Sequence, residues 1–384
     1  MIKAITLLLF NILPAPLLYS KERQVFYFLK ILYKFSEFYV TIKGYPLSAD
    51  TKIIYFKGDS MKKLLTVPVL GTILVILSLC SLYIGVKSLS IFDGWHLTAS
   101  QYNILLSSRI PRTVSIIISG SGLSVCGLVM QQLTRNKFVS PTTAGTMEWA
   151  KLGVVVALIS FNTAPLFVQL LIAAGLAVIG SLLFVYLLKI ITFKHEIFIP
   201  LIGLMLGQII NSLTTFLGIE FQIMQSINSW LQGNFAIVTS HRYELLFLAI
   251  PCLILIFLYA HYFTLVGLGE DLAQNLGLKA ETVTNLGLIL VSFITALIVT
   301  VVGSLPFLGL LVPNLVSLVK GDHLSHILPA TALLGAVLVM ACDILGRLLI
   351  YPYEISIGLM MGVVGSLSFL LLLFHINSKE RSKL

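Results

Sequence analysis

Pro165-Leu-Phe-Val-Gln-Leu-Leu-Ile-Ala-Ala-Gly-Leu-Ala-Val-Ile-Gly-Ser-Leu-Leu-Phe-Val-Tyr-Leu-Leu-Lys-Ile190 carries no charge before Lys189. Its apolar residues neither alternate nor keep to one helical face. A helix that is apolar all round belongs in a core or a bilayer. A membrane span needs about 20 such residues, and this run supplies them. Working outward, comparable runs lie near 64–86, 112–133, 143–161, 196–218, 243–265, 282–303, 306–320, 327–349 and 355–375. The expected fold is therefore an all-α integral membrane protein of about ten transmembrane helices. The stretch 226–235 is too short and polar to cross, and reads as an interfacial helix anchored by Trp230.

Composition agrees. Of 384 residues, 58% are hydrophobic and 11% charged, whereas a soluble domain carries about 25% charged residues. Lipid must cover much of the surface, and helices satisfy their own backbone hydrogen bonds there. A β-barrel would show alternating segments of about ten residues. The formal charge of +9 would suggest nucleic acid in a soluble protein. In a membrane protein it reflects basic cytoplasmic loops, so no nucleic-acid partner is expected.

Those loops also set the orientation. With both ends in the cytoplasm, Lys62, Lys63, Arg135, Lys137, Lys189, Lys194, Lys279, Lys320, Lys379, Arg381 and Lys383 lie inside. Lys87, Arg109, Arg112, Arg242 and Arg347 lie outside, an excess in the direction of the positive-inside rule. The expected location is the cytoplasmic cell membrane, multi-pass, with both termini cytoplasmic.

Residues 1–60 differ from the rest. Met1–Ser20 is broken by Pro14 and Pro16, and the following forty residues are polar-aromatic without a period. Met61-Lys62-Lys63 then opens a long apolar run. Residues 1–60 are expected to be an atypical extension, with Met61 the functional start and 61–384 the transmembrane domain.

Chemistry-bearing motifs are scarce. There is no GxxxxGK[ST] for phosphates, no HExxH and no GxSxG. Cys80, Cys126, Cys252 and Cys342 are far apart, without the clustering a metal site needs. No catalytic residue, metal or cofactor is expected. Glu148 and Lys151 lie three apart, and Asp343 and Arg347 four apart, spacings at which helix partners meet. No lone carboxylate stands clearly at mid-membrane, so the driving energy is expected from outside the chain. A secondary transporter or channel shares the hydropathy but would need such a residue. Gly203 with Gly207, and Gly358 with Gly362 and Gly365, mark close helix contacts or a pathway lining.

The loop Gly267-Leu-Gly-Glu-Asp-Leu-Ala-Gln-Asn-Leu-Gly-Leu278 is distinctive. Glu270 and Asp271 suit a helix N-terminus. Leu272, Ala273 and Leu276 form an apolar stripe, and Gly277 suits the stop. The spacing predicts a short amphipathic helix on the cytoplasmic side, a connector or a docking knob.

At these residues the chain resembles the FecCD-type permeases of ABC importers for iron–siderophore, haem and vitamin B12, over about 64–375. Arg109-Ile-Pro-Arg112 is similar to the family's Arg-Leu-Pro-Arg. Gln131-Gln-Leu-Thr-Arg-Asn136 followed by Pro141 is similar to the loop after it. Gly269-Glu-Asp-Leu-Ala-Gln-Asn-Leu-Gly277 is similar to its coupling loop. Phe307-Leu-Gly-Leu-Leu-Val-Pro313 is similar to its Gly-Phe-x-Gly-Leu-x-x-Pro-His element, with Asn314 in place of His and Leu305-Pro306 where Gly often precedes Phe. Ser140–Gly153 resembles the catecholate-siderophore subgroup.

The resemblance implies a vitamin B12 importer permease-like fold and a second permease subunit, identical or a sister. A cytoplasmic ABC ATPase dimer, which binds the ATP, would grip Gly269, Glu270, Asp271, Leu272, Ala273, Leu276 and Gly277. An extracytoplasmic siderophore-binding (lipo)protein would meet Arg109, Arg112 and Arg347. The fifth and tenth spans, with Gly203, Gly207, Gly358 and Gly362, would line the path. The implied function is import of an iron(III)-siderophore, with haem or cobalamin as the alternative cargo.

Overall fold

The computed structural model describes residues 65–84, 99–161, 165–191, 198–239, 242–350 and 352–381. The expectations for residues 1–60 and for Met61 lie outside the described residues.

Among the described residues, ten long helices occur at the expected places: α1 Val67–Tyr83, α2 Ile110–Leu133, α3 Thr146–Ser160, α4 Leu166–Ile190, α5 Phe198–Glu220, α6 Ala249–Leu268, α7 Ala280–Val301, α8 Leu308–Lys320, α9 Leu324–Leu349 and α10 Ile357–Arg381. Six stretches among them are long and apolar enough to cross a membrane unaided. One of the shorter ones, α8, is extended by irregular backbone. Before α8, Gly303 (φ 97°) and Phe307 (φ 62°) turn the chain, and Leu305 is fully buried. Non-helical backbone at membrane depth is tolerated where protein covers it.

The middle of the bundle is α2, which packs on α6, α7, α8 and α9. The apolar window of its extended helix, Gln101–Leu133, is 83% buried, against 22% for the helix that ends at Leu268. That difference separates the core helix from a lipid-facing one. Small residues let α2 sit deep. A Cβ on Gly127 would lie 1.8 Å from the Gly309 carbonyl oxygen on α8, and one on Gly335 of α9 would lie 2.0 Å from Ser124 Oγ. A buried hydroxyl chain joins three other helices: Thr146 Oγ1 lies 2.9 Å from Ser181 Oγ, and Ser292 Oγ donates to Ser181 Oγ at 2.8 Å.

After α5, the short helix Met224–Leu231 lies where an interfacial helix was expected. It buries Ile227 and Leu231, and the Arg242 guanidinium stands 5.0 Å over the Trp230 ring.

Candidate functional site

Two clusters of chemistry stand at opposite ends of the bundle. The first begins where α6 ends. The chain turns at Gly269 (φ 146°) and forms the helix Glu270–Asn275. It stops by a double bond pattern: Leu278 N–H donates to the Ala273 carbonyl at 2.9 Å, and Gly277 N–H to the Gln274 carbonyl at 2.8 Å. Gly277 has φ 80°, the left-handed conformation this helix stop requires. The glycine stop therefore stands where its sequence placed it.

The apolar stripe is divided, not continuous. Ala273 is fully buried and packs with Val266 and Ala280, flanked by Leu133, Leu278 and Val283. Leu272 and Leu276 are 53% and 65% exposed, and Leu268 is 65% exposed. At four-residue spacing Leu272 and Leu276 share one face of the short helix, while Leu268 ends α6 before the turn at Gly269. The single small residue seats the helix, and the leucines point away. Asp271 is exposed beside them.

The loop after α2 braces the neighbouring helix end. Lys137 Nζ meets Asp322 at 2.8 Å, and Ser317 Oγ also donates to Asp322. Burial pushes the Asp322 carboxyl up. Hydrogen bonds from Lys137 and Ser317 and the Lys137 charge outweigh it and hold the group below its ordinary range. Gln132 Nε2 donates to the Asp322 carbonyl at 3.3 Å. Asn314, at the position where the resemblance has His, donates to the Lys137 and Leu310 carbonyls, both at 2.8 Å. The sequence marked Asn314 only as a departure; its amide ties α8 to the loop.

The second cluster joins α1, α2, α9 and the segment before α10. Arg112 donates to Asp343 at 2.8 Å and to Glu354 at 2.7 Å. Arg347 meets Asp343 at 2.6 Å and donates to the Ser81 and Ile84 carbonyls at 3.1 and 2.9 Å. Arg109 donates to the Leu82 carbonyl. Where three docking arginines were expected, the structure places three guanidiniums inward. Arg109 and Arg347 are 7% and 6% exposed. The physical reason is that α1 ends with free carbonyls there, and arginine supplies several donors at once. Glu354 was not foreseen. Its only signal was a carboxylate placed just ahead of the last span.

Gly203 of α5 and Gly358 of α10 serve close packing. A Cβ on Gly203 would lie 2.2 Å from the Thr143 carbonyl oxygen. Gly207 faces Gly145 and Glu148, and Glu148 pairs with Lys151 at 3.4 Å. A Cβ on Gly358 would lie 1.9 Å from the Gln232 carbonyl oxygen, whereas at Gly362 the nearest atom is Pro306 Cγ at 4.0 Å. Gly358 and Gly362 line an open depression with Gln232, Ser304, Pro306 and Val363. Among the described residues, no cluster of three His, Cys, Asp or Glu could hold a metal.

Comparison with known proteins places this geometry. Residues 73–375 match the model of the FecCD transport family. The petrobactin import system permease protein YclN of Bacillus subtilis is 52% identical over 303 residues, covering 79% of this chain and 96% of that one. The ferric-anguibactin transport system permease protein FatD of Vibrio anguillarum is 40% identical over 266 residues, covering 69% and 85%. An inward-facing structure of a metal-chelate type ABC transporter superposes with a TM-score of 0.69 at 27% identity, covering 80% of this chain and 98% of that one.

Proposed function

This chain belongs to the FecCD transport family, and from that premise we propose that it is the membrane permease of an ATP-driven importer whose cargo is an iron–siderophore complex. Relatives named for petrobactin and anguibactin favour a siderophore over haem or cobalamin. The chain carries no phosphate-binding loop, so the ATP is bound by a partner.

The exposed Leu272 and Leu276, with Leu268 exposed just before the turn, carry the reading. Leu272 and Leu276 stand on the short helix held from behind by Ala273, and Leu268 ends α6. This end of the bundle holds Arg135, Lys137, Lys279 and Lys320, the basic side expected in the cytoplasm. An apolar patch rimmed by charge suits a protein partner. The ATPase dimer would receive these leucines, and its closure would move α6 and α7 through the rigid seat at Ala273. A second permease subunit would face α5 and α10 across the path.

On the outer side, an extracytoplasmic binding protein would offer carboxylates to Arg112. Glu354, 27% exposed at its side chain, is the replaceable partner, whereas Asp343 is buried at 3%. Arg347 and Arg109 then act as supports that hold α1, α2 and α9 in register beneath the docking point.

The test is co-purification of the ATPase with Glu270→Arg/Leu276→Asp permease. Loss of the ATPase at normal membrane abundance is the expected result. Full retention would remove the coupling role from this loop.

A further inference from the structure

The middle of α5 carries a feature that packing does not explain. Taking α5 at about 100° per residue, Asn211, Thr215, Gln208 and Ser212 fall within one arc of about 100°. Gln208, Asn211 and Ser212 are exposed, and Thr215 is half-buried. The buried side of the same helix is Gly203, Gly207, Ile210, Thr214 and Gly218. The remaining exposed arc is apolar: Met205, Ile209, Leu213 and Phe216. The outward surface of α5 thus carries a polar patch at its middle turns, and the exposed Leu201, Leu204 and Ile219 continue the same arc toward the two ends.

The polar patch lies at mid-span. α5 runs from Phe198 to Glu220, so Gln208 and Asn211 flank its centre. The two hydroxyls of the stripe are satisfied locally: Ser212 donates to the Gln208 carbonyl and Thr215 to the Asn211 carbonyl, both at 2.9 Å. Neither the Gln208 nor the Asn211 carboxamide hydrogen-bonds a described residue. Hydrocarbon offers an amide no hydrogen bond, and leaving one unpaired there is expensive. Among the described residues, no other long helix exposes carboxamides at its middle turns.

We infer that the Gln208–Asn211–Ser212–Thr215 stripe faces a hydrated passage, and that Gln208 and Asn211 are a hydrogen-bonding waypoint for the cargo, while the Met205–Ile209–Phe216 arc faces lipid or protein. The inference rests on the importer reading and adds which face of α5 the cargo meets and by what chemistry. A carboxamide both donates and accepts, so it can replace water around the polar oxygens of a chelate. It carries no charge, so it does not hold a charged complex in place, as a lysine or carboxylate would. Cargo that must leave is served by such weak, multiple contacts.

The experiment is thiol labelling in the assembled transporter. Cys80, Cys126, Cys252 and Cys342, all free thiols, are first replaced by serine or alanine. Gln208→Cys, Asn211→Cys, Ile209→Cys and Phe216→Cys are then treated with a charged, water-soluble methanethiosulfonate. The expected result is labelling at Gln208→Cys and Asn211→Cys at least about tenfold faster than at the other two. Equal rates at all four overturn the inference. So does a disulfide between two Asn211→Cys subunits in place of labelling, which would assign the amides to a sealed subunit contact. Separately, Gln208→Leu/Asn211→Leu should lower chelate uptake about tenfold with the ATPase still bound, and unchanged uptake overturns the waypoint. Labelling is read without transport, so it stands or falls apart from the importer reading, which ATPase co-purification tests.

Discussion

Arg347 and Asp343 meet at 2.6 Å on one face of α9, with side chains only 5% and 3% exposed. Arg112 reaches the same carboxylate from α2 at 2.8 Å. One aspartate therefore serves two guanidiniums, and α1 contributes backbone acceptors to the second. Breaking a buried pair from one side leaves an uncompensated charge and costs about 3–5 kcal/mol. Asp343→Leu is expected to lower the thermal midpoint of the purified permease sharply, while Asp343→Leu/Arg347→Met recovers part of the loss. Equal destabilisation by the single and double variants would show that the pair is not the cause.

Glu354 is the outer, replaceable partner of Arg112. Its partly exposed pair contributes about 0–1 kcal/mol, so Glu354→Gln should leave abundance unchanged. If a carboxylate of the binding protein takes this place, its affinity for the Glu354→Gln permease rises about two- to fivefold, since 1.4 kcal/mol is tenfold. Surface plasmon resonance on nanodisc-held transporter reads this directly. An unchanged or weaker affinity would confine Glu354 to a structural role.

Gly358 and Gly362 look alike in the sequence but not in space. Gly358→Ala forces a Cβ to within 1.9 Å of the Gln232 carbonyl oxygen, whereas Gly362→Ala meets only Pro306 at 4.0 Å. Overpacking of this kind costs typically about 1–3 kcal/mol. Gly358→Ala should reduce thermal stability and Gly362→Ala should not. Similar behaviour of the two would contradict the close approach of α10 to the 231–233 turn.

The Lys137–Asp322 tie gives a signed pH dependence. The Asp322 carboxyl is held below its ordinary range. A depressed carboxylate stabilises the fold above the unfolded pKa, about 3.9, and that contribution is lost as pH falls through the lower folded value. The tie is therefore intact at neutral pH and lost only below about pH 4. Both groups are more than half exposed, so screening keeps the effect small. Asp322→Asn should cost a small amount of thermal stability at neutral pH and converge with the wild type below about pH 4; a large loss at pH 7 would contradict this reading.

Much of the architecture was legible because hydropathy alone dictates it. Every one of the ten apolar runs became a helix, and Gly277 stopped the Glu270–Asn275 helix by the backbone conformation that only glycine adopts easily. The destinations of the arginines were not legible. Arg112 and Glu354 are 242 positions apart, and no local pattern links them. The split stripe of the Glu270–Asn275 helix also escaped, since Ala273 and Leu272 are both apolar and only the packing of Val266 and Ala280 decides which turns inward. The α5 stripe was written in the spacing 208, 211, 212, 215, but the adjacent glycines carried the more familiar signal.

The central claim is tested most directly by uptake of radioactive iron, presented as purified petrobactin, anguibactin and a hydroxamate siderophore to iron-starved cells lacking this gene. The cells are complemented with the wild-type permease or with Leu272→Asp/Leu276→Asp. Restoration of uptake for one siderophore class by the wild type, and its loss in the double variant at equal membrane abundance, is the expected result. Uptake of all three unaffected by deletion of the gene would contradict the siderophore reading, and full activity of the double variant would contradict the coupling surface.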